Sequence, residues 1–475
     1  MTATVRSHEI VEKALGLSKA DACAVIVGET SEVNLRWANN TLTTNGAARD
    51  RSVTVVSVVG RSFGVRSVSS IDPGVSGGEA VDKLTDLVRA SEAAAKDADD
   101  AEDYSELLAP GQPGVAGARP DGGGFEEPAR HTSTAVFSTF ATDLGEALRA
   151  ARAEGRSLYG FAEHDLTTTW LGTSTGVRLR HSQPTGTVEW NAKNGQPGGS
   201  VWHGQSTHDF TDVDVAATDV ELRRRLAWCG RSIELPAGRY ETLLPPSAVS
   251  DLILDAYWSA AGRDAAEGRT VFSRAGGGTR LGEAFGPSGL RLFSDPADPE
   301  LSCAPFVFSG HSSATASVFD NGLALGPTDW FADGKLATLV HTRASARAAG
   351  TTATPFIDNL TMDGGGTATL DEMVASTKRG LLLTCLWYIR EVDPEVLLLT
   401  GLTRDGVYLV ENGEVVGVVN NFRFNESPVS LLGRISEIGA TTRTLGREWA
   451  DWFKLSRMPA LRVPDFNMSS VSPAS

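Results

Sequence analysis

Residues 361–401 read TMDGGGTATLDEMVASTKRGLLLTCLWYIREVDPEVLLLTG, and residues 402–432 continue LTRDGVYLVENGEVVGVVNNFRFNESPVSLL. Gly364, Gly365 and Gly366 punctuate the chain, and Asp371, Glu372, Met373, Val374 and Thr377 then predict one short amphipathic helix. Gly380 is expected to end it at C′, a position that often needs positive φ. Leu381, Leu382, Leu383, Cys385, Leu386 and Trp387 form a nearly continuous apolar run, the pattern of a strand covered on both faces. Gly406 to Val410, the turn Glu411-Asn412-Gly413-Glu414 and Val415 to Val419 predict a hairpin, because Asn-Gly between apolar runs favours a type I′ turn.

Outward from this stretch the chain reads as α+β. Its 475 residues are too many for one typical core, so two domains are expected. An N-terminal domain of β-hairpins covered by helices would span residues 1–235, and a mainly antiparallel β domain residues 236–475. PAGRYETLLPP (236–246) marks the junction, with a strand over Tyr240 to Leu244 stopped by the proline pair.

In the first domain, helices are expected over Ser7–Leu15, Gly78–Ala101, Phe137–Glu154 and Asp219–Trp228. Strands are expected over 22–27, 32–37, 51–59, 61–68, 157–166, 167–171, 176–181 and 187–191. Residues 97–130, acidic and then PGQPGVAGARPDGGG, read as a loop or mobile insert, because they offer too little apolar surface to offset ordering. A Pro/Ser-rich tail closes the chain.

A net charge of −16 argues against nucleic acid or an anionic membrane as a main partner, since both need clustered Lys and Arg. The N-terminus has no apolar core of signal-peptide length, and no apolar run approaches the ~20 residues of a membrane helix. The four isolated cysteines fit free buried thiols. A cytoplasmic protein is expected.

The order GGG, DEM, TKRGLLLT, LTRDGVYLVENGEVVG, NNFRFNESP resembles the C-terminal core of the TldD/PmbA family, and the likeness extends more weakly over almost the whole chain. RWANNTLTTN followed by a long hairpin resembles that family's N-terminal domain. The resemblance implies a metallopeptidase pair: a TldD subunit bearing the metal, and a homologous PmbA (TldE) partner lacking it. In the TldD type, a helix after the junction carries His-Glu-x-x-x-His, and a cysteine near the C-terminus is a further ligand. Two imidazoles about four residues apart share a helix face and converge on one ion.

The corresponding segment here, Ser247 to Glu267, is expected as one helix and contains no histidine; Tyr257 and Trp258 occupy the region. GRTVFS (268–273) matches the family's continuation, and no cysteine follows Cys385. The resemblance therefore implies a metal-free, PmbA/TldE-like subunit with no cofactor of its own, zinc or iron being expected in a TldD-like catalytic partner. The two would form a heterodimer acting on unfolded or flexible peptides.

Other candidate chemistry is weaker. His203 and His208, near Asp209 and Asp212, read as a loop with surface histidines, and Glu163-His164-Asp165 as a solvated turn. His311 and His341 are possible cleft residues, without acidic neighbours at helical spacing. Cys385 reads as an inert thiol. No glycine cluster matches a P-loop or dinucleotide fingerprint. No catalytic residue is assigned. Substrate or interface candidates are Arg263, Arg269, Arg343, Asn420, Asn421, Arg423 and Asn425, whose side chains can donate to peptide carbonyls. Two alternatives remain: a stand-alone peptidase with an unrecognised site, and a homo-oligomeric peptide-binding scaffold.

Overall fold

The structure, a computed structural model, describes residues 5–69, 77–117, 124–196 and 198–472. After helix α1 (Ser7–Leu17), Val25, Val27, Val33, Leu35 and Trp37 send apolar side chains inward along one uninterrupted strand, β1 (Ala22–Ala38). Asn39 and Asn40, both at positive φ, turn the chain into β2 (Thr41–Val59), and Gly60 turns it into β3 (Ser62–Val68). Helices α2 (Gly77–Asp97) and α3 (Ser138–Ala153) follow, then β4 (Ser157–Thr173), β5 (Arg178–Lys193), β6 (Ser200–Thr207) and α4 (Val215–Trp228). The sheet is antiparallel, in the order β3-β2-β1-β4-β5-β6.

Several expected strands merge. The pairs 22–27/32–37, 157–166/167–171 and 176–181/187–191 are single strands, β1, β4 and β5. Their polar or glycine-bearing middles look like breaks, but the ladder runs through them: Gly28 lies opposite Ser52 on one side and Thr169 on the other. VWHGQST is strand β6 rather than a loop, and Glu163-His164-Asp165 is mid-strand in β4 rather than a solvated turn.

The composition argument for residues 97–130 is corrected in part. The stretch from 98 to 117 has no helix or strand, yet Leu107 and Leu108 are buried. It is held by Ala116 N to Gly322 O (2.9 Å) and by Arg347 on the Tyr104 carbonyl (2.9 Å). Residues 118–123 of the expected insert lie outside the described residues.

The second half opens with β7 (Ser232–Ile233), β8 (Gly238–Leu244), α5 (Pro246–Trp258), α6 (Gly262–Ala266), β9 (Arg291–Ser294), β10 (Thr328–Ala332) and β11 (Lys335–Leu336). It continues through α7 (Arg343–Ala349), β12 (Leu360–Asp363), α8 (Leu370–Ala375), β13 (Arg379–Leu383), β14 (Leu386–Asp393) and β15 (Leu398–Thr403). It closes with β16 (Val407–Glu411), β17 (Glu414–Val419), β18 (Phe422–Glu426), α9 (Pro428–Leu432), β19 (Glu437–Thr444) and β20 (Ser456–Val471). The long β20 is the hub, pairing with β8, β12, β18 and β19. Pairing is mainly antiparallel, with parallel contacts at β8–β13, β12–β20 and β7–β17. The halves share a core in which Trp37, Phe140 and Leu222 meet Leu382, Tyr408 and Val410.

The stretch 361–432 needs two corrections. Helix α8 ends at Ser376 in a right-handed conformation, and Gly380 instead lies in β13, where a Cβ would stand 2.8 Å from the Glu241 carbonyl. The apolar run 381–387 is broken at Thr384 and Cys385 into β13 and β14. The Asn412-Gly413 hairpin forms as expected, at φ 50° and 87°. The expected helix 247–267 is likewise two, α5 and α6, broken at 259–261. All four cysteines are free and buried, and among the described residues no helix is long and apolar enough to cross a membrane.

The glycine triplet allows a graded test. A Cβ on Gly366 would lie 1.9 Å from the Ile438 carbonyl oxygen, whereas Gly365, at φ 71°, faces open space. Gly366→Ala should cost up to about 3 kcal/mol through forced displacement of β19. Gly365→Ala should cost about 1–2 kcal/mol through left-handed strain alone. Urea unfolding of the two variants checks the order.

Candidate functional site

Helix α5, where the sequence resemblance places a metal-binding motif, starts with Pro246 at its first turn and is buried on nearly every side. It nevertheless carries two carboxylates one turn apart, Asp251 and Asp255. Asp251 is fully buried and fastens the 446–449 loop: its Oδ2 accepts from Arg447 N (3.1 Å), its Oδ1 from Glu448 N (2.9 Å), and its carbonyl from Trp449 Nε1 (3.0 Å). Gly446 makes this approach possible, since a Cβ there would stand 2.6 Å from Asp251 Oδ1. Burial pushes Asp251 well above the usual carboxylate range, with the Glu448 and Arg447 N–H groups opposing.

Glu448 in turn accepts from the backbone N–H of Tyr388 (2.8 Å) and Ile389 (3.1 Å) and from Arg390 (3.0 Å). These bonds hold Tyr388 at φ 52°, a strained conformation for an aromatic residue. Arg447 projects the other way. Its Nη1 donates to Asp405 Oδ2 (2.8 Å) and Cys385 Sγ (3.0 Å), and its guanidinium lies 4.4 Å from the Trp387 ring centre and 5.5 Å from that of Trp202. Burial pushes the Cys385 thiol up to about 12, against the pull of Arg447. Burial also acts to raise Asp405, but its bond to Arg447 and the nearby Ser200 hydroxyl hold it below its ordinary value.

Asp255 is pushed up to about 7 by burial, reinforced by the charges of Glu391 and Glu448, and its buried Oδ2 has no hydrogen-bond partner among the described residues. An acid with a raised folded pKa holds its proton preferentially in the folded state. Its contribution is complete below the ordinary value of 3.8 and is lost as the pH rises through about 7. Asp255→Asn should therefore add about 1–3 kcal/mol at pH 8 and almost nothing at about pH 4. Thermal melts of both proteins across that range check the sign.

These residues do not fit a zinc or iron centre. Helix α5 has no imidazole, both oxygens of Asp251 are committed to backbone N–H groups, and the Cys385 sulfur faces a guanidinium. Among the described residues no group of three or more His, Cys, Asp and Glu side chains could hold a metal ion. Tyr257 is part of the core, bonded through its hydroxyl to both Ile357 backbone groups and stacked on Phe356. Trp258 packs edge-on against Trp449.

The candidates read from sequence occupy separate places. Arg263 pairs with Glu267 and Glu102, and Arg269 with Asp264 and Glu267, beside a cavity of about 430 Å³ that includes His341. Arg343 bonds Asp320 (2.9 Å) and the Glu106 carbonyl (2.8 Å), anchoring the 98–117 stretch. Asn420 accepts from Leu235 N (2.7 Å) at the junction of the halves. Arg423 contacts Thr400 (3.3 Å), as does Asn425 (2.9 Å), both on β18. Asn421 alone among them lines a cavity adjoining the Arg447 network.

His203, in β6, is held down to about 4 by burial and by Arg225. His164 is bonded to Thr132 and to the His208 carbonyl, and burial lowers its pKa. His208, Asp209 and Asp212 border a cleft of about 890 Å³ whose arginines are already paired, Arg443 with Asp212 and Arg457 with Asp298 and Glu300. Arg447, Asp251 and Asp255 escaped the sequence reading. Two aspartates four residues apart in the otherwise apolar DLILDAYW (251–258) were the available signal.

Comparison with known proteins agrees with this architecture. Residues 237–470 match the PmbA/TldA metallopeptidase C-terminal domain. No curated protein sequence matches the chain. Among solved structures, TldE from Thermococcus kodakarensis superposes at TM-score 0.76 and 14% identity, over 96% of this chain and 98% of that one. A protein described as a candidate modulator of DNA gyrase from Thermotoga maritima superposes at TM-score 0.74 and 16% identity, over 97% and 99%. One so described from Bacteroides thetaiotaomicron superposes at TM-score 0.72 and 14% identity, over 98% of each chain. Residues 237–470 thus form a domain of the PmbA/TldA metallopeptidase family, and the chain as a whole has the fold of TldE.

Proposed function

We propose that this chain is the metal-free, non-catalytic subunit of a cytoplasmic TldD-type metallopeptidase, forming a heterodimer with a metal-bearing homologue that acts on unfolded or flexible peptides. The observation that carries this reading is the α5 face. The helix that the resemblance equates with the catalytic type's His-Glu-x-x-x-His segment carries two aspartates and no imidazole, and one of them locks down a loop whose arginine pairs with Asp405. Such a face can stabilise a fold and line a chamber, but it supplies no Lewis acid to polarise a water. In this role the chain shapes the enclosed space and binds the extended substrate, and hydrolysis belongs to the partner.

Native mass measurement tests the assembly. The chain co-expressed with a His-Glu-x-x-x-His homologue should run as a one-to-one complex. Two separate species after co-expression would remove the partner reading and leave the stand-alone peptidase and the homo-oligomeric scaffold.

A further inference from the structure

Two cavities of about 350 and 370 Å³ adjoin the Arg447 network and share Lys193, Ser200, Arg404 and Asp405 in their walls. Together they make a groove between the ends of β5 and β6 on one side and the 404–406 turn on the other. Tyr159, Trp387 and Tyr388 form its aromatic side.

The chain is acidic overall, with 59 Asp and Glu against 43 Lys and Arg, but the balance reverses in this groove. Arg447 and Asp405 neutralise each other. Lys193 holds its ammonium 5.6 Å from the Tyr159 ring centre. Among the described residues neither the exposed Lys193 nor the half-buried Arg404 has a hydrogen-bonded or ion-paired acidic partner. Asp405, the acid on which the Arg404 charge acts, is already committed to Arg447, so an anion entering the groove meets two cations that no acid pairs directly.

The turn that follows Arg404 is tightly held. Asp405 sits at φ 49° and Gly406 at φ 141°, and a Cβ on Gly406 would stand 2.1 Å from Thr384 Oγ1. The turn is thus over-determined by its surroundings, and Arg404 beside it lines the same two cavities as Lys193, which belongs to the other half of the chain.

We propose that this groove is a carboxylate-binding subsite for peptides, Lys193 and Arg404 gripping one carboxylate while Tyr159, Trp387 and Tyr388 cover an adjacent apolar side chain. The inference rests on the peptide-binding role given under Proposed function and narrows it to a substrate class. A guanidinium fork and an ammonium lining one groove suit a carboxylate, and rigid aromatics supply contact area at low entropic cost. The carboxylate comes from an acidic side chain or from the peptide C-terminus.

Four dye-labelled short peptides separate these sources: a Glu-containing and a Gln-containing sequence, each with a free and an amidated C-terminus. Their binding by fluorescence anisotropy is measured on the chain alone and on the chain co-purified with its partner. Arg404→Gln should weaken binding of the preferred peptide about tenfold and Lys193→Gln about threefold, with Arg404→Lys intermediate. Wild-type affinity should fall as salt rises from about 50 to about 300 mM. A preference that follows the Glu residue assigns the side chain, and one that follows the free terminus assigns the C-terminus. Equal, salt-independent binding of all four peptides, unmoved by either substitution, overturns the subsite and leaves the peptide-binding role intact. No binding of any peptide to either preparation overturns both.

Discussion

Replacing Arg447 by methionine is expected to destabilise the chain by about 3–5 kcal/mol, because it removes one partner of a buried ion pair and strands the other. The side chains of Arg447 and Asp405 are 12% and 13% exposed, so solvent replaces little of what is lost. The guanidinium also sits between Trp202 of β6 and Trp387 of β14. Its loss therefore removes a contact between the two halves of the chain and not only a charge. Urea unfolding followed by tryptophan fluorescence measures the effect. The double variant Arg447→Met/Asp405→Asn should recover a large part of the loss, since no uncompensated carboxylate is left behind. A single variant within about 0.5 kcal/mol of wild type would show the network to be incidental.

Asp251→Leu should be nearly as costly, about 3 kcal/mol or more, for a different reason. The aspartate satisfies the N–H groups of Arg447 and Glu448, and an apolar replacement leaves both donors without it in a buried setting. The loss should be local first. The 446–449 loop carries Glu448, which holds the strained Tyr388, so unfastening it releases β14 as well. Limited proteolysis should then cut near residues 446–455 under conditions where the wild type resists, before global unfolding. Asp251→Asn, which keeps one acceptor oxygen, should lose about half as much.

How far the sequence could be read is clear from particular residues. The Asn412-Gly413 hairpin was legible because a two-residue turn between apolar runs is a local signal, and its positive φ values follow from that chemistry alone. The α+β class was legible in the same way, from strand-length apolar runs alternating with helical spacing. Strand lengths were not. Gly28-Glu29-Thr30 looks like a break, and only the neighbouring strands β2 and β4 make it continuous. Gly380 misled for a related reason: its role is the close approach of β8, a contact 139 positions away in sequence that no local rule foresees.

The site divides likewise. The absence of histidine from 247–267 was visible residue by residue, and so was the isolation of the four cysteines. The pairing of Asp251 with residues 446–448, nearly 200 positions later, was not. Nor was the placing of Lys193 and Arg404 on the same cavities, since each looks like an ordinary surface cation in its own stretch. The seven polar candidates were chosen for their donors, and most of those donors are engaged within the fold, as Arg343 shows with Asp320. Sequence reports which donors exist; packing decides which are free.

The most direct test of the central claim is the metal content and proteolytic activity of the purified chain, alone and co-purified with its metal-bearing homologue. The account predicts no stoichiometric zinc or iron in the lone chain, metal in the complex, and cleavage of an unfolded protein by the complex only. Stoichiometric metal and chelator-sensitive cleavage by the lone chain would contradict it.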